Sequence, residues 1–244
     1  MCFHTSQTKK VLELENRYDV SLSDSYAREA YDIPRYHLNG FTHPHMLIIP
    51  QEKSSVLAHA LWGIVPQNKD SEEISDYYKE AVRFGGGLNA QSEKLQEHFI
   101  YKKSVKSRRC IIPVTGFFEP HEYQGKKYPY FIKDKNDDVL SLAGIYTIIN
   151  QVVTFTILTK PASPLFSKIH NKKNRQPVIL DKDFEQNWLR ADLNEGGINE
   201  LINLNYNENE LKAYTVSRDL FSPLINSDSP SIMEEVKYEG VSIN

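Results

Sequence analysis

The second residue of the chain, Cys2, combines two nucleophiles once the initiator methionine is removed. That removal is favoured before a small residue, and it leaves a free α-amine beside the Cys2 thiol. Reference pKa values of about 7.7–8.0 for the amine and about 8.5 for the thiol make both groups partly nucleophilic near neutral pH. The amine can form an imine with an aldehyde, and the thiol can then close a thiazolidine ring. The same group could attack an acyl carbon, and the alternative is an inert, frayed terminus.

Three internal stretches carry further side chains that suit this chemistry. Asn89 follows a glycine loop in GGGLNAQSEKL, where it either positions a reactant or caps a helix. Glu119 ends an apolar strand in GFFEP, where desolvation would raise its pKa and suit it to proton transfer, unless it is a partnered or exposed strand-end residue. His170 precedes a basic loop, where it is either a general acid or a satisfied core or capping histidine.

The elements that must position these residues indicate an α+β protein. Apolar runs predict strands and periodic stretches predict helices, but they do not alternate as in a parallel βαβ fold. We expect a mixed, largely antiparallel, barrel-like β core flanked by short helices. Residues 1–222 form one predicted domain, and 223–244 form a tail that we expect to be loosely ordered. Predicted strands are 45–50, 57–65, RCIIPV, GFFEP, YPYFIK, VLSLAGIY, VVTFTILT and QPVIL, and predicted helices are 8–18, 72–83, 92–103 and 182–191.

Charge is distributed unevenly in this 244-residue chain of net charge −3. Residues 181–244 carry 13 acidic and 5 basic side chains, whereas residues 1–180 carry 24 basic and 19 acidic ones. The segments 98–118 and 139–180 contain lysines and arginines without an acid, which suits either a polyanion site or two solvated faces. The sequence lacks a long apolar run, an apolar signal region and a disulfide framework, so we expect a cytoplasmic protein away from membranes.

Together these stretches resemble the SRAP family, the SOS-response-associated peptidase-like proteins that crosslink to abasic sites in DNA. The resemblance runs from Cys2 to about residue 190. Each mark alone is weakly specific, but the ordered set is strong. Its marks are Met1-Cys2, WGIVP from Trp62, Asn89-Ala90 with Glu93, RCIIP from Arg109, GFFE ending at Glu119, Ile169-His170, Arg175, and PVIL from Pro177.

The resemblance implies capture of an abasic-site aldehyde in single-stranded DNA as a thiazolidine. It assigns Cys2 as the nucleophile, Asn89 as its positioner, and Glu119 with His170 as the acid/base pair. It implies neither a metal nor an organic cofactor. Which of Glu119 and His170 protonates the sugar stays open in the sequence.

DNA contacts are expected around the loop after His170. Arg175 matches a family arginine that contacts phosphate, while Lys172 and Lys173 are assigned phosphate contacts by proximity. Trp62 is expected either to stack at the lesion or to lie in the core. The chain departs from common family residues at Gln91, Pro120 and His4, and it lacks a second family tryptophan near Asn68. These departures affect the expected DNA affinity more than the chemistry.

Three functions compete on the sequence alone. The first is a DNA-damage-response protein that crosslinks abasic sites and has lyase activity as an option. We expect such a protein to be a bacterial monomer that joins the nucleoid on damage. The second is a thiol peptidase that acts on itself or on other proteins. The third is a non-catalytic DNA-binding scaffold, which the intact Cys2, Asn89, Glu119 and His170 disfavour. His43 and His45 lack a third ligand at metal spacing.

Overall fold

The computed structural model describes residues 2–243, and for Ala27 the backbone only. Fourteen strands and seven α-helices occupy this range. The strands are β1 His4–Gln7, β2 Ser21–Leu22, β3 Arg35–Asn39, β4 His45–Pro50, β5 Val56–Trp62, β6 Asn89–Gln91, β7 Arg109–Val114, β8 Gly116–Tyr123, β9 Lys126–Asp134, β10 Leu140–Ile149, β11 Val152–Pro161, β12 Arg175–Pro177, β13 Ile179–Leu180 and β14 Leu211–Thr215. The helices are α1 Val11–Tyr18, α2 Arg28–Tyr31, α3 Ile74–Ala81, α4 Tyr101–Ser107, α5 Pro164–Ile169, α6 Glu185–Leu189 and α7 Glu195–Asn203.

Five strands close into a barrel. Strands β11, β10, β7, β4 and β5 pair in that order, all antiparallel, and a parallel pairing of β5 with β11 joins the two ends. Because the barrel is closed, none of these five strands is an open edge. The α+β class and the mixed, largely antiparallel barrel with short flanking helices are therefore confirmed.

Both faces of the barrel strands are buried, which explains their nearly continuous apolar sequences. Alternate residues enter different clusters because successive side chains point to opposite faces. Ile48, Ile112 and Ile157 lie in one cluster, which also contains Cys2. Their neighbours on the opposite face, such as Ile49 and Ile111, pack with the helices α1, α6 and α7.

A second sheet brings the N-terminal strand to the candidate site. Its order is β14, β9, β8, β1 and β3. Strand β1 pairs with β8 so that His4 lies opposite Phe118 and Thr5 opposite Phe117. This register places the start of the chain beside the strand that carries Glu119.

Most predicted elements are confirmed, but the helix predicted at 92–103 is wrong. The chain forms a 3-10 turn over Ser92–Lys94 and becomes α-helical only at Tyr101. An amphipathic helix would bury both Leu95 and Phe99, which are four residues apart, but Leu95 is buried whereas Phe99 is 72% exposed. The QPVIL run is divided between β12 and β13. Strands β1, β2, β3 and β6 and helices α2, α5 and α7 were not predicted.

The segment after residue 222 makes specific contacts with the rest of the chain. Asp228 accepts hydrogen bonds from the backbone N–H groups of Tyr36 and His37, and Ile232 is buried. The domain boundary at 222 stays a prediction. Within residues 2–243, the helices lack the length and apolar character that a bilayer span requires.

Candidate functional site

Cys2 lies at the entry to β1 and is held by Asn89. Its side chain is fully buried, and its Sγ lies 3.8 Å from the carbonyl oxygen of His4. The Asn89 Nδ2 donates a hydrogen bond of 2.9 Å to the carbonyl oxygen of Cys2. Burial, reinforced by the nearby Glu119 charge, raises the pKa of the Cys2 thiol well above its ordinary value. The thiol is therefore protonated in this environment, and its use as a nucleophile requires proton removal during the reaction.

Asn89 owes its position to β6, a short strand that pairs in parallel with β11. Asn89 lies opposite Ile157, and Gln91 lies opposite Thr159. The predicted helix-cap alternative is thus replaced by a strand. The Asn89 Oδ1 is buried and accepts no hydrogen bond from the described residues 2–243. A buried amide oxygen without a donor is costly, so this atom is an acceptor suited to an amine or hydroxyl group.

Glu119 and His170 form a buried pair. The Glu119 Oε2 lies 3.3 Å from His170 Nδ1, and the two side chains are 0% and 5% exposed. The same Nδ1 lies 3.1 Å from the carbonyl oxygen of Arg175. A carbonyl can only accept, so we place the proton of the neutral imidazole on Nδ1.

The buried environment changes the acidity of both partners in opposite directions. Burial raises the pKa of Glu119 to about 7. Burial also lowers the pKa of His170 to about 4. Near neutral pH, therefore, His170 is uncharged, and Glu119 is the member of the pair that carries a transferable proton. The sequence-based idea that His170 is a cationic general acid does not fit this environment.

Helix α5 aligns with one face of β8 and fixes the pair. Phe117 stacks on Phe166 with ring centroids 5.9 Å apart, and His121 Nδ1 lies 3.0 Å from the carbonyl oxygen of Lys168. Residues two apart on a strand share a face, so Glu119 points toward the same helix between these contacts. Pro164 begins α5, and His170 ends it with a non-helical backbone. His170 thus stands at the end of the helix, facing Glu119.

Arg175 is oriented by a carboxylate rather than left open to solvent. Its guanidinium pairs with Glu93 through two nitrogens, one of them 3.0 Å from Glu93 Oε2, and also donates to the carbonyl oxygen of Thr159 at 2.7 Å. The Arg175 side chain is only 12% exposed. Glu93 is one of the motif residues of the sequence, but no role was assigned to it there. The signal that could have revealed the role is that Glu93 is an isolated acidic residue close to Asn89.

The loop between His170 and Arg175 is tied to the end of β8. Lys172 is exposed and forms a 2.7 Å ion pair with Glu122. Asn171 exchanges two hydrogen bonds with the Glu122 backbone. Lys173 is also exposed. Both lysines are accessible at the surface, and their phosphate contacts stay predictions.

Trp62 occupies the core, which corrects the expectation that it stacks on DNA. The side chain is fully buried, and its Nε1 donates a 2.9 Å hydrogen bond to the carbonyl oxygen of Leu88. Its ring stacks on Phe155 at a centroid distance of 6.3 Å. A ring in this position has no exposed face for a base, so the core alternative applies to this structure.

Two of the cations counted in the acid-free segments serve the fold. Arg109 is fully buried and donates to the backbone carbonyls of Val105, Lys106 and Trp188 at 2.8–2.9 Å. It thereby joins the C-terminal ends of α4 and α6. Lys160 similarly donates to the carbonyl oxygen of Ile202 near the end of α7. Neither residue is available to a polyanion.

His43 is engaged by neighbouring groups. Its Nδ1 lies 2.8 Å from the carbonyl oxygen of Trp62, and its ring stacks on Tyr78 at 3.5 Å. Among residues 2–243, no group of three or more His, Cys, Asp or Glu side chains is arranged to hold a metal ion.

Fold and site together define a β-barrel protein with a buried thiol at the second residue, held by an amide and close to a carboxylate–imidazole pair. The family model described as SOS response associated peptidase (SRAP) matches residues 1–223. The chain belongs to this family.

Individual relatives support the assignment. Abasic site processing protein YoqW of Bacillus subtilis (strain 168) is 28% identical over 221 residues, covering 84% of this chain and 92% of that protein. Abasic site processing protein YoaM of the same organism is 30% identical over 188 residues, covering 75% and 78%. A crystal structure of a protein from Bacteroides thetaiotaomicron matches with a TM-score of 0.84 at 27% identity, covering 97% of this chain and 100% of that one.

Proposed function

We propose that this protein processes abasic sites in single-stranded DNA by capturing the ring-opened sugar aldehyde on Cys2 as a thiazolidine. The observation that carries the proposal is the meeting of Cys2, Asn89 and the Glu119–His170 pair in one buried site. The names of the related abasic site processing proteins support the substrate class. Removal of Met1 is required, and that residue lies outside the described part of the chain.

Glu119 is the acid that opens the sugar in this mechanism. Ring opening needs a proton on the ring oxygen, and the Glu119 carboxylate that this leaves then accepts the proton of the anomeric hydroxyl. Glu119 retains its proton up to about pH 7, whereas His170 is neutral there. His170 donates its Nδ1 proton toward Glu119 and Arg175, and so orients the carboxyl group.

The condensation then follows from the two nucleophiles of Cys2. The amine adds to the aldehyde carbon, the resulting hydroxyl leaves as water with a proton from Glu119, and an imine remains. The thiol adds to the carbon of this protonated imine, and its proton goes to the Glu119 carboxylate, which restores the acid. One C–N and one C–S bond form, and one water leaves. The Asn89 amide holds the reacting residue, which makes the steps effectively intramolecular.

A denaturing gel tests this function. Met1-free protein, verified by intact mass, is incubated with a single-stranded oligonucleotide that bears one abasic site. We expect a covalent shift in the wild type and in Cys110→Ala, whose thiol is buried in β7, and none in Cys2→Ala. A wild-type sample that stays unattached would contradict the proposal.

A thiol peptidase is the second candidate, and the family description supports it. The same thiol and Glu119–His170 pair could cleave an amide bond. Peptide cleavage without a covalent DNA shift would favour this reading. Lyase activity is a further branch of the first proposal, because an imine at the sugar allows β-elimination, and strand cleavage on the same gel would detect it.

A further inference from the structure

Three aromatic rings form a stack on the surface between β6 and α4. The Phe99 and His98 rings lie 5.1 Å apart at 24°, and the His98 and Tyr101 rings lie 4.1 Å apart at 20°. Tyr101 packs against the apolar cluster beneath the helices, whereas Phe99 is 72% exposed. These rings, which we call the Phe99 platform, present a supported aromatic face to solvent.

Exposed lysines flank the platform in the sequence. Lys94, Lys102, Lys103 and Lys106 are exposed, and none of them has an ion-pair partner among residues 2–243. Burial lowers the pKa of His98, and the nearby charge of Lys94 lowers it further, so Lys94 lies close to the stack. Positive side chains without partners attract a polyanion.

The segment that carries the platform is poor in acidic side chains. Between residues 94 and 118 only Glu97 is acidic. The preceding acid, Glu93, is engaged by Arg175. An exposed aromatic ring beside unpaired cations favours a ligand that offers both π faces and negative charge, as single-stranded nucleic acid does.

The platform is continuous with the candidate site along the chain. Strand β6 carries Asn89 and leads at once into the Ser92–Lys94 turn. Glu93 in this turn is bonded to Arg175, whose carbonyl contacts His170. The platform thus lies in the segment that directly follows a residue of the candidate site.

We propose that Phe99 stacks on a base of the single-stranded DNA flanking the lesion, while Lys102 and Lys103 contact its phosphates. This inference rests on the proposed function for its choice of DNA as ligand. Stacking on one aromatic ring tolerates any base, so the platform would add affinity without sequence preference.

Tryptophan fluorescence reads the contact directly. The native tryptophans, Trp62 and Trp188, are both fully buried, so Phe99→Trp introduces an exposed reporter. We expect a lesion-free oligo(dT) to quench Phe99→Trp saturably and less strongly at high salt. The control Tyr26→Trp, at a site 97% exposed, should not be quenched in this way. Equal responses of the two variants would overturn the proposal, as would no quenching in either.

Affinity measurements on the same lesion-free DNA complete the test. Phe99→Ala should weaken binding by roughly 5- to 100-fold. The double variant Lys102→Ala/Lys103→Ala should lower the slope of log K against log salt by about 1.4, or about 0.7 per phosphate contact. Lys79→Ala, which removes a lysine paired with Asp76 on α3, is the control and should change neither quantity. Unchanged binding in Phe99→Ala would refute the platform.

These measurements are independent of covalent capture. Lesion-free DNA cannot crosslink, so a failed gel assay with intact quenching would reject the proposed chemistry but retain the platform. Crosslinking that persists with a silent Phe99→Trp reporter would reject the platform alone.

Discussion

Glu93 binds the guanidinium of Arg175 through two nitrogens, and the backbone carbonyl of the same arginine contacts His170 Nδ1. The pair therefore joins the turn that follows Asn89 to the segment that follows His170. In the DNA-free protein, the arginine expected to contact phosphate is already neutralised by a carboxylate.

Glu93→Gln should strengthen binding to single-stranded DNA, because it removes an anion and releases Arg175 for a phosphate. We expect the slope of log K against log salt to steepen by about 0.7. The Glu93 side chain is half-exposed, so stability should change by less than about 1 kcal/mol. Fluorescence anisotropy at several salt concentrations measures the effect, with Glu239→Gln, at an exposed position of the C-terminal segment, as the control. Weaker binding would instead indicate that Glu93 positions Arg175 for its contact.

Glu119→Ala and His170→Ala should each slow crosslinking by roughly 10²–10⁴-fold, the usual effect of removing a positioned acid/base group. In the wild type, the rate should fall as pH rises through about 7, because the proton of Glu119 is then lost. Residual crosslinking in Glu119→Gln should lack this decline. Quenched-gel time courses between pH 5.5 and about 8.5 supply the rates. If crosslinking by Glu119→Gln declined with pH as steeply as crosslinking by the wild type, Glu119 would not be the acid.

Glu119→Gln should also stabilise the fold at alkaline pH. An acid whose pKa rises from 4.5 to about 7 on folding binds its proton more tightly in the folded state. Its contribution is complete below about pH 4.5 and is lost as pH rises through about 7. At pH 8 the variant should exceed the wild type by about 3 kcal/mol in free energy of unfolding, with little difference near pH 4.5. Urea titrations measure this, and Glu122→Gln on the same strand should not show it.

The buried His4–His37 pair should make the protein sensitive to acid. The His4 Nδ1 and His37 Nε2 lie 2.8 Å apart, and His37 Nδ1 lies 2.6 Å from Ser227 Oγ. Burial lowers the pKa of His4 to about 3 and of His37 to about 4. The neighbouring Asp228 favours the charged form of His37, but burial is the larger effect.

A histidine whose pKa falls on folding stabilises the protein above its unfolded value of about 6.5, and this contribution is lost as pH falls toward 4. For His37 the loss at pH 5 is about 1–2 kcal/mol. His37→Asn should therefore show a shallower decline of thermal midpoint between pH 7 and about 5 than the wild type. His59→Asn serves as the control. Parallel acid profiles of the wild type and His37→Asn would refute this assignment.

The barrel was predictable from sequence because its strands are apolar on both faces. RCIIPV and VLSLAGIY are continuous runs of β-forming residues, and such runs predict strands without their partners. Strands β1 and β3 were missed because HTSQ and RYHLN are polar sequences. They become strands only through pairing with β8 and with each other.

The candidate site shows the same division between local and distant information. The types of Cys2, Asn89, Glu119 and His170 were visible in the sequence, and their roles stay predictions. Arg109 was counted as surface charge, since no local signal reveals that backbone carbonyls of two helix ends surround it. Phe99 is likewise exposed, and not buried as a helix over 92–103 would have it, because helix α4 begins only at Tyr101.

Strand β11 carries β6 along one edge and β12 along the other, since both are paired at Thr159. Adjacent strands are spaced by about 4.8 Å, so Gln91 and Pro177 are separated by about 10 Å across a rigid backbone. Strand β11 sets this separation, and the loop that precedes Arg175 does not contribute to it. Insertions or deletions in that loop would therefore leave the distance between Gln91 and Pro177 unchanged.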